Sequence, residues 1–156
     1  MTQAQPNTKN TGSAKARKSA ARLLAVQAVY QMQSDVNQKP DAVIKEYLEH
    51  RAGMEVDGDS MVPADPDHFS EVVRGVTEHQ DQLQTMIKAN RGKDDKIEPL
   101  LYAIFLCGAY ELMVMQSIDA PIIIADYMHV AHAFYDEREE KLVNAVLDSV
   151  RKTVRD

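Results

Sequence analysis

The chain has 156 residues, a formal net charge of −6 and one cysteine. Its length fits a single domain that buries a core without staples, and one cysteine excludes a disulfide framework or a cysteine-based zinc site. Residues 1–34 carry five basic and no acidic side chains, whereas the other 122 residues carry 13 basic and 24 acidic ones. This asymmetry predicts a basic arm that contacts a polyanion, the alternative being a solvated basic tail without a partner.

The first 14 residues are small, polar and aperiodic, which predicts a disordered N-terminal arm ahead of a helical domain over residues 15–156. The N-terminus has charge but lacks the apolar core of a signal peptide, so we expect a cytoplasmic protein.

A first helix is predicted from Lys15 to about Ser34, because Leu23, Val26 and Tyr30 fall on one side of a helical wheel. The first half of this helix is basic and its second half is apolar. We therefore expect it to carry a basic end out of the body while its other half is anchored in the core.

The next segments predict helices separated by one long loop. Residues 40–50 have helical spacing, and residues 52–66, with two glycines and two prolines, predict a loop. Asp65 or Asp67 can cap the following helix, with Pro66 tolerated in its first turn. The apolar pattern then predicts one long helix or two consecutive helices that end near Gly92.

The stretch from Leu100 to Met115 is apolar on every face, and Glu111 is its only charged residue. Such a helix must be wrapped by other helices or by lipid. Its sixteen residues rise only about 24 Å, short of the ~30 Å of a bilayer core. We therefore predict a buried central helix in a soluble domain.

Residues 117–121 break the central helix and begin another, whose buried stripe ends at Phe134. A charged turn or helix start follows at residues 136–140, and the last helix buries Val143, Val146, Leu147 and Val150. No segment shows the alternation of a strand. The predicted fold class is all-α, a single domain of six to seven helices around the central helix.

Three polar residues, Asp126, His129 and His132, share one side of their helix and resemble half of a carboxylate-bridged di-metal site. The second half is missing, so we interpret them as a solvated or locally hydrogen-bonded face and predict no metal or other cofactor. Cys107 is predicted to pack in the core, and Glu111 to accept hydrogen bonds there. Nothing in the sequence supports an enzyme.

The basic residues of the first helix suit contacts with phosphate, which give salt-dependent binding with little reading of base sequence. Reading single-stranded RNA also needs an aromatic or amide platform nearby. The last helix could supply one if it packs beside the first. The candidate RNA-binding residues are Lys15, Arg17, Lys18, Arg22, Phe134, Lys141 and Asn144.

Four stretches resemble the NusB family of transcription antitermination factors: residues 26–31 (VQAVYQ), 108–112 (GAYEL), 131–134 (AHAF) and 141–148 (KLVNAVLD). The resemblance spans about residues 15–154 in the family's order, and the last stretch is the most specific. It implies an all-helical fold of two packed helical subdomains. It also implies that Tyr30, like Phe134, Lys141 and Asn144, lies near the RNA surface.

The resemblance further implies binding of boxA-type RNA together with NusE, a small-subunit ribosomal protein. That pair joins elongating RNA polymerase in ribosomal RNA operons and suppresses premature termination. The sequence departs from the family at Ala125-Asp126, at Phe134-Tyr135 and at Arg138. These departures bear on RNA contacts at the turn before the last helix and less on the fold.

Two alternatives stay open. One is a helical scaffold of this type that binds only protein. The other is a relative of the RNA-binding domain of ribosomal RNA cytosine methyltransferases. Those enzymes carry a catalytic domain after the helices, which the 156-residue sequence does not show, so a methyltransferase is not expected.

Overall fold

The computed structural model describes residues 12–51, 55–56, 59–60, 62–91 and 96–155. Within them the chain forms seven α-helices and one short hairpin. In chain order these are α1 (Ala14–Ser34), α2 (Pro40–His50), β1 (Glu55–Val56), β2 (Asp59–Ser60), α3 (Pro66–Glu78), α4 (Gln80–Arg91), α5 (Pro99–Val114), α6 (Ala120–Phe134) and α7 (Glu137–Val154).

The prediction of an all-α fold is confirmed, with one local difference inside the predicted loop. Strands β1 and β2 pair antiparallel, with Glu55 opposite Ser60. Each strand has two residues, too few for an alternating pattern to be recognised. The predicted N-terminal arm lies, apart from residues 12–14, outside the described residues.

The helix starts follow the capping residues that the sequence supplies. Ser13 Oγ accepts a hydrogen bond from Ala16 N at 3.0 Å and caps α1. Asp65 caps α3 through the backbone N–H groups of Asp67 and His68, with Pro66 in the first turn as predicted. The sequence predicted either one long helix or two consecutive helices before Gly92, and the structure has two, α3 and α4.

The central helix α5 packs against α1, α3, α4, α6 and α7. Eleven of its residues are buried, as its all-round apolar surface predicts. Gly108 allows α5 and α7 to approach closely, since a Cβ there would lie 2.7 Å from Leu147 Cδ1. Helices α1 to α3 pack on one another and α4 to α7 on one another, which gives the two predicted subdomains around α5.

Helix α6 contacts both the first helix and the last helix of the domain. It packs against α1, α5 and α7, whereas α7 is not among the main neighbours of α1. The hypothesis that the last helix packs beside the first is therefore wrong.

Candidate nucleic-acid interface

Three of the predicted basic residues, Lys15, Arg17 and Lys18, form what we call the basic tip of α1. Lys15 is exposed, and Arg17 and Lys18 are half-buried. Lys18 Nζ lies 3.5 Å from Asp65 Oδ2. Among the described residues, neither Lys15 nor Arg17 forms an ion pair.

The basic tip is held against the start of α3. The backbone N–H of Asp65 donates to the carbonyl of Arg17 at 3.0 Å. Burial tends to raise the pKa of Asp65, but hydrogen bonds from His68 N and Lys18, with the charge of Lys18, lower it below its ordinary value. The charged carboxylate thus caps α3 and pairs with the tip, so the tip has a fixed position.

Arg22 does not belong to this surface, because its side chain is only 2% exposed. Its Nε and Nη2 donate to Glu111, and its Nη1 lies 2.6 Å from Asp126 Oδ2. The guanidinium is thus engaged by two carboxylates inside the protein. The structure places Arg22 in the interior rather than on the surface that its sequence neighbours suggested.

Glu111 is the centre of a buried ion cluster that also contains Arg22, Tyr127 and His68. Tyr127 Oη donates to Glu111 Oε2 at 2.5 Å. His68 Nε2 lies 3.1 Å from Glu111 Oε1. Burial tends to raise the pKa of Glu111, but contacts with His68 and Arg22 outweigh it and lower the pKa. Glu111 is therefore a charged acceptor, as predicted for hydrogen bonds from tyrosine.

Asp126 joins α6 to the first half of α1. Ser19 Oγ donates to its two oxygens, at 3.0 Å and 2.8 Å, and Arg22 reaches it from the next turn. Asp126 is thus hydrogen-bonded to residues of another helix, 104 and 107 positions away in the chain, and does not form part of a solvated face. The described residues contain no group of three His, Cys, Asp or Glu side chains able to hold a metal ion.

The two predicted aromatic residues are both solvent-accessible. Tyr30 is 41% exposed and Phe134 is 44% exposed, so the prediction that the buried stripe of its helix extends to Phe134 is wrong. Tyr30 lies fifteen residues after Lys15 on the same helix, a rise of about 22 Å. The basic tip and Tyr30 thus sit at opposite ends of α1, and one ligand that contacts both must extend along the helix.

Lys141 and Asn144 lie on the exposed side of α7. Lys141 Nζ pairs with Glu137 at 2.9 Å, with both side chains largely exposed. Asn144 lines a groove of about 290 Å³ between α6 and α7, together with Ala125 and Met128. The structure therefore brings Asn144 to α6 and does not bring it to α1.

Sequence reasoning missed two anchoring residues, Asp126 and Arg155. The guanidinium of Arg155, directly after α7, donates to carbonyls at and just after the end of α5, including Leu112 O at 2.9 Å and Ile118 O at 2.7 Å. A signal for the ion cluster was present: Arg22 shares the apolar side of α1 with Ala25 and Val29, so a buried acid was needed to pair with it.

Comparison with known proteins identifies the relatives of the chain. A model of the NusB family matches residues 19–152. The chain is 40% identical over 147 residues to the transcription antitermination protein NusB of Novosphingobium aromaticivorans, which covers 92% of this chain and 97% of the relative. It is 39% identical over 139 residues to the protein of the same name from Rhizobium rhizogenes, which covers 87% and 86%.

Two solved structures have the same fold. The first is the crystal structure of antitermination factors NusB and NusE in complex with dsRNA, with a TM-score of 0.73, 19% identity, and 90% of this chain and 99% of that chain covered. The second is T. maritima NusB, with a TM-score of 0.70, 17% identity, and 86% and 90% covered. Within the described part of the protein, no helix is long and apolar enough to cross a membrane.

Proposed function

Since this chain belongs to the NusB family, we propose that it binds boxA-type single-stranded RNA together with the ribosomal protein NusE. In this role it joins the RNA polymerase elongation complex through the RNA and NusE, and it suppresses premature termination in ribosomal RNA operons. It acts in the cytoplasm, where nascent transcripts are made.

The observation that carries this proposal is the basic tip. Lys15 and Arg17 have no carboxylate partner among the described residues, and the tip is held by the hydrogen bond between Asp65 N and Arg17 O. A backbone held in place keeps its basic side chains on one part of the surface. Basic side chains without a carboxylate partner among the described residues, grouped in this way, suit a polyanion.

The remaining candidate residues add contacts with RNA bases to the phosphate contacts of the basic tip. Tyr30 and Phe134 offer exposed rings on which bases can stack, and Asn144 offers an amide that can pair with a base edge. Lys141 keeps its exposed pair with Glu137, which RNA can displace at small cost because such surface pairs contribute little. Arg22 has a structural role in this proposal and makes no RNA contact.

The acidic part of the chain is assigned to NusE. Residues 35–156 carry the net −11 calculated from the sequence, which opposes RNA and suits a basic ribosomal protein. The proposal therefore divides the surface by charge, with RNA at the basic tip and NusE on an acidic part of the body.

The proposal assigns binding and no catalysis to the chain. The cysteine thiol, the strongest nucleophile available, is at Cys107 in the middle of α5 and is fully buried. Burial, with a contribution from Glu111, raises its pKa well above the ordinary value. The thiol therefore stays protonated and unreactive at neutral pH.

The test is equilibrium binding of a fluorescent boxA-type RNA and a scrambled RNA of the same composition, each with and without NusE. We expect the boxA RNA to bind about tenfold more tightly than the scrambled RNA when NusE is present. Equal binding of the two RNAs with NusE would overturn the sequence-specific function. Binding of NusE without binding of either RNA would support the protein-only scaffold instead.

A further inference from the structure

Asp65 uses its two carboxylate oxygens in two different ways. Oδ1 accepts hydrogen bonds from the backbone N–H groups of Asp67 and His68, at 3.0 Å and 3.1 Å, and so caps α3. Oδ2 lies 3.5 Å from Nζ of Lys18 on α1. The cap needs only the first oxygen, because asparagine and serine cap a helix about as well as aspartate. The second oxygen and the negative charge are therefore not required for the cap.

The main chain holds this carboxylate beside the basic tip. The backbone N–H of Asp65 donates to the carbonyl oxygen of Arg17 at 3.0 Å, on the residue that precedes Lys18. This bond joins two backbone atoms and does not involve the side chain at position 65. A substitution that keeps the cap therefore leaves the start of α3 attached to α1, and it changes the group that lies beside Lys18.

Lys18 is the only cation of the basic tip that has an acidic partner within the described part of the chain. Neither Lys15 nor Arg17 forms an ion pair there. The side chains of Lys18 and Asp65 are 39% and 24% exposed, so water and dissolved ions reach the pair. A pair of this kind is weak, and another anion can replace its acid. A phosphate that approaches Lys18 thus meets a like charge at the same ammonium group.

We propose that Asp65 is an intramolecular competitor of RNA: its carboxylate pairs with Lys18 in the free protein, and a phosphate of the RNA displaces it. This inference rests on the function proposed above. A carboxylate resembles a phosphate in its negative charge and its oxygen acceptors, and both form charge-assisted contacts with lysine. Asp65 therefore lowers the affinity of the basic tip for RNA. It does not change which base sequence is preferred, because phosphate contacts carry no direct sequence information.

The size and the salt dependence of the effect follow from this exchange. Loss of a partly exposed competitor should strengthen RNA binding by about two- to fivefold. In the wild type, Lys18 exchanges one anion for another when RNA binds, and the released carboxylate attracts cations from solution. Without the carboxylate, Lys18 adds a full phosphate contact. The slope of log K against log salt should then become steeper by up to about 0.7 for a single strand.

The experiment measures binding of the boxA-type RNA with NusE over a salt series for the wild type, Asp65→Asn and Asp67→Asn. Asp65→Asn keeps one oxygen for the cap and places an uncharged amide beside Lys18. Asp67→Asn is the matched control, because Asp67 is an exposed acid in the same turn and has no ion pair in the described ranges. We expect Asp65→Asn to bind about two- to fivefold more tightly at about 0.1 M salt, with a steeper slope. Asp67→Asn should follow the wild type.

Two further variants separate competition from a change in the fold. Lys18→Ala should weaken binding more in the Asp65→Asn protein than in the wild type, because the wild-type Lys18 charge is already partly used. Asp65→Ser also keeps the cap and should repeat the gain of Asp65→Asn. The scrambled RNA should gain by the same factor as the boxA RNA, since the added contact is with phosphate.

Each other result overturns the inference. Unchanged or weaker binding in both Asp65 variants, with normal boxA binding by the wild type, shows that Asp65 only holds the tip, and it leaves the proposed function standing. An equal gain in Asp67→Asn shows a general effect of negative charge rather than competition at Lys18. Absence of RNA binding in the wild type overturns the proposed function, and this inference with it.

Discussion

The guanidinium of Arg22 forms a two-point ion pair with the carboxylate of Glu111, with Nε–Oε2 and Nη2–Oε1 distances of 3.0 Å and 2.9 Å. The side chains are 2% and 0% exposed. Because α1 and α5 belong to different subdomains, this pair fixes one subdomain on the other. It also sets the first half of α1, and with it the basic tip, against the core.

Breaking this pair should destabilise the fold without a direct effect on RNA contacts. Glu111→Leu removes the carboxylate and leaves the Arg22 cation buried beside Asp126 alone, so we expect the free energy of unfolding to fall by about 3–5 kcal/mol. Urea denaturation measures the change. Lys141→Ala, which removes an exposed pair, is the control and should change stability by no more than about 1 kcal/mol.

The double variant Arg22→Met/Glu111→Leu extends this prediction. In the double variant neither charge of the pair remains buried without its partner. The loss in free energy of unfolding should therefore be clearly smaller than the sum of the losses in the two single variants. Additive losses would mean that the two side chains do not act as a pair.

Stability should depend on acid through Glu111. Burial alone would raise the pKa of Glu111 above its ordinary value of 4.5. Contacts with His68 and Arg22 favour the charged form and lower the pKa below that value. Its contribution is therefore fully present above pH 4.5 and is lost as the pH falls through the folded-state pKa. Urea unfolding between pH 6 and pH 3 should show a steeper loss in the wild type than in Glu111→Gln. Parallel profiles would show that Glu111 is not a charged acceptor.

Packing between α3 and α5 depends on Gly75. A Cβ at this position would lie 2.1 Å from Cζ of Tyr110. We expect Gly75→Ala to destabilise the protein by about 1–3 kcal/mol, although alanine favours a helix by up to about 1 kcal/mol over glycine. Thermal unfolding against Thr77→Ala, a change on the exposed side of α3, measures this cost. A stabilised Gly75→Ala protein would disprove the contact.

The end of the central helix depends on Arg155. Its guanidinium donates to the carbonyl oxygens of Leu112, Met115 and Ile118, which have few other partners at a helix end. Arg155→Ala should lower the free energy of unfolding by about 1–2 kcal/mol. Lys152→Ala in the last turn of α7 is the control, since Lys152 makes only an exposed pair with Asp148. Equal effects of the two changes would argue against the capping role.

The architecture was predictable from the sequence because it depends on patterns within single helices. Residues 100–115 are apolar on every side and can only be buried, and Asp65 followed by Pro66 marks a helix start. The two subdomains, by contrast, came from resemblance to a family. Periodicity identifies the buried side of a helix but does not identify the helix that covers it.

The candidate site was only partly predictable for the same reason. Arg22 and Lys18 are four residues apart in a basic segment, yet one is in the core and the other is on the surface. The difference depends on Glu111, which is 89 residues away in the chain. The positions of Asn144 and Phe134 on α7 and α6 likewise depend on packing between helices, and α6 rather than α7 proved to lie beside α1.

The central claim is that the basic tip binds RNA phosphates, and the salt dependence of boxA RNA binding with NusE tests it most directly. The comparison is between Lys15→Ala/Arg17→Ala/Lys18→Ala and a control that also removes three positive charges, Lys39→Ala/Lys45→Ala/Lys88→Ala. Each phosphate contact contributes about 0.7 to the slope of log K against log salt for a single strand. We predict that the tip variant loses up to about 2 from the slope while the control keeps the wild-type value. Equal slopes in the two variants would contradict the account.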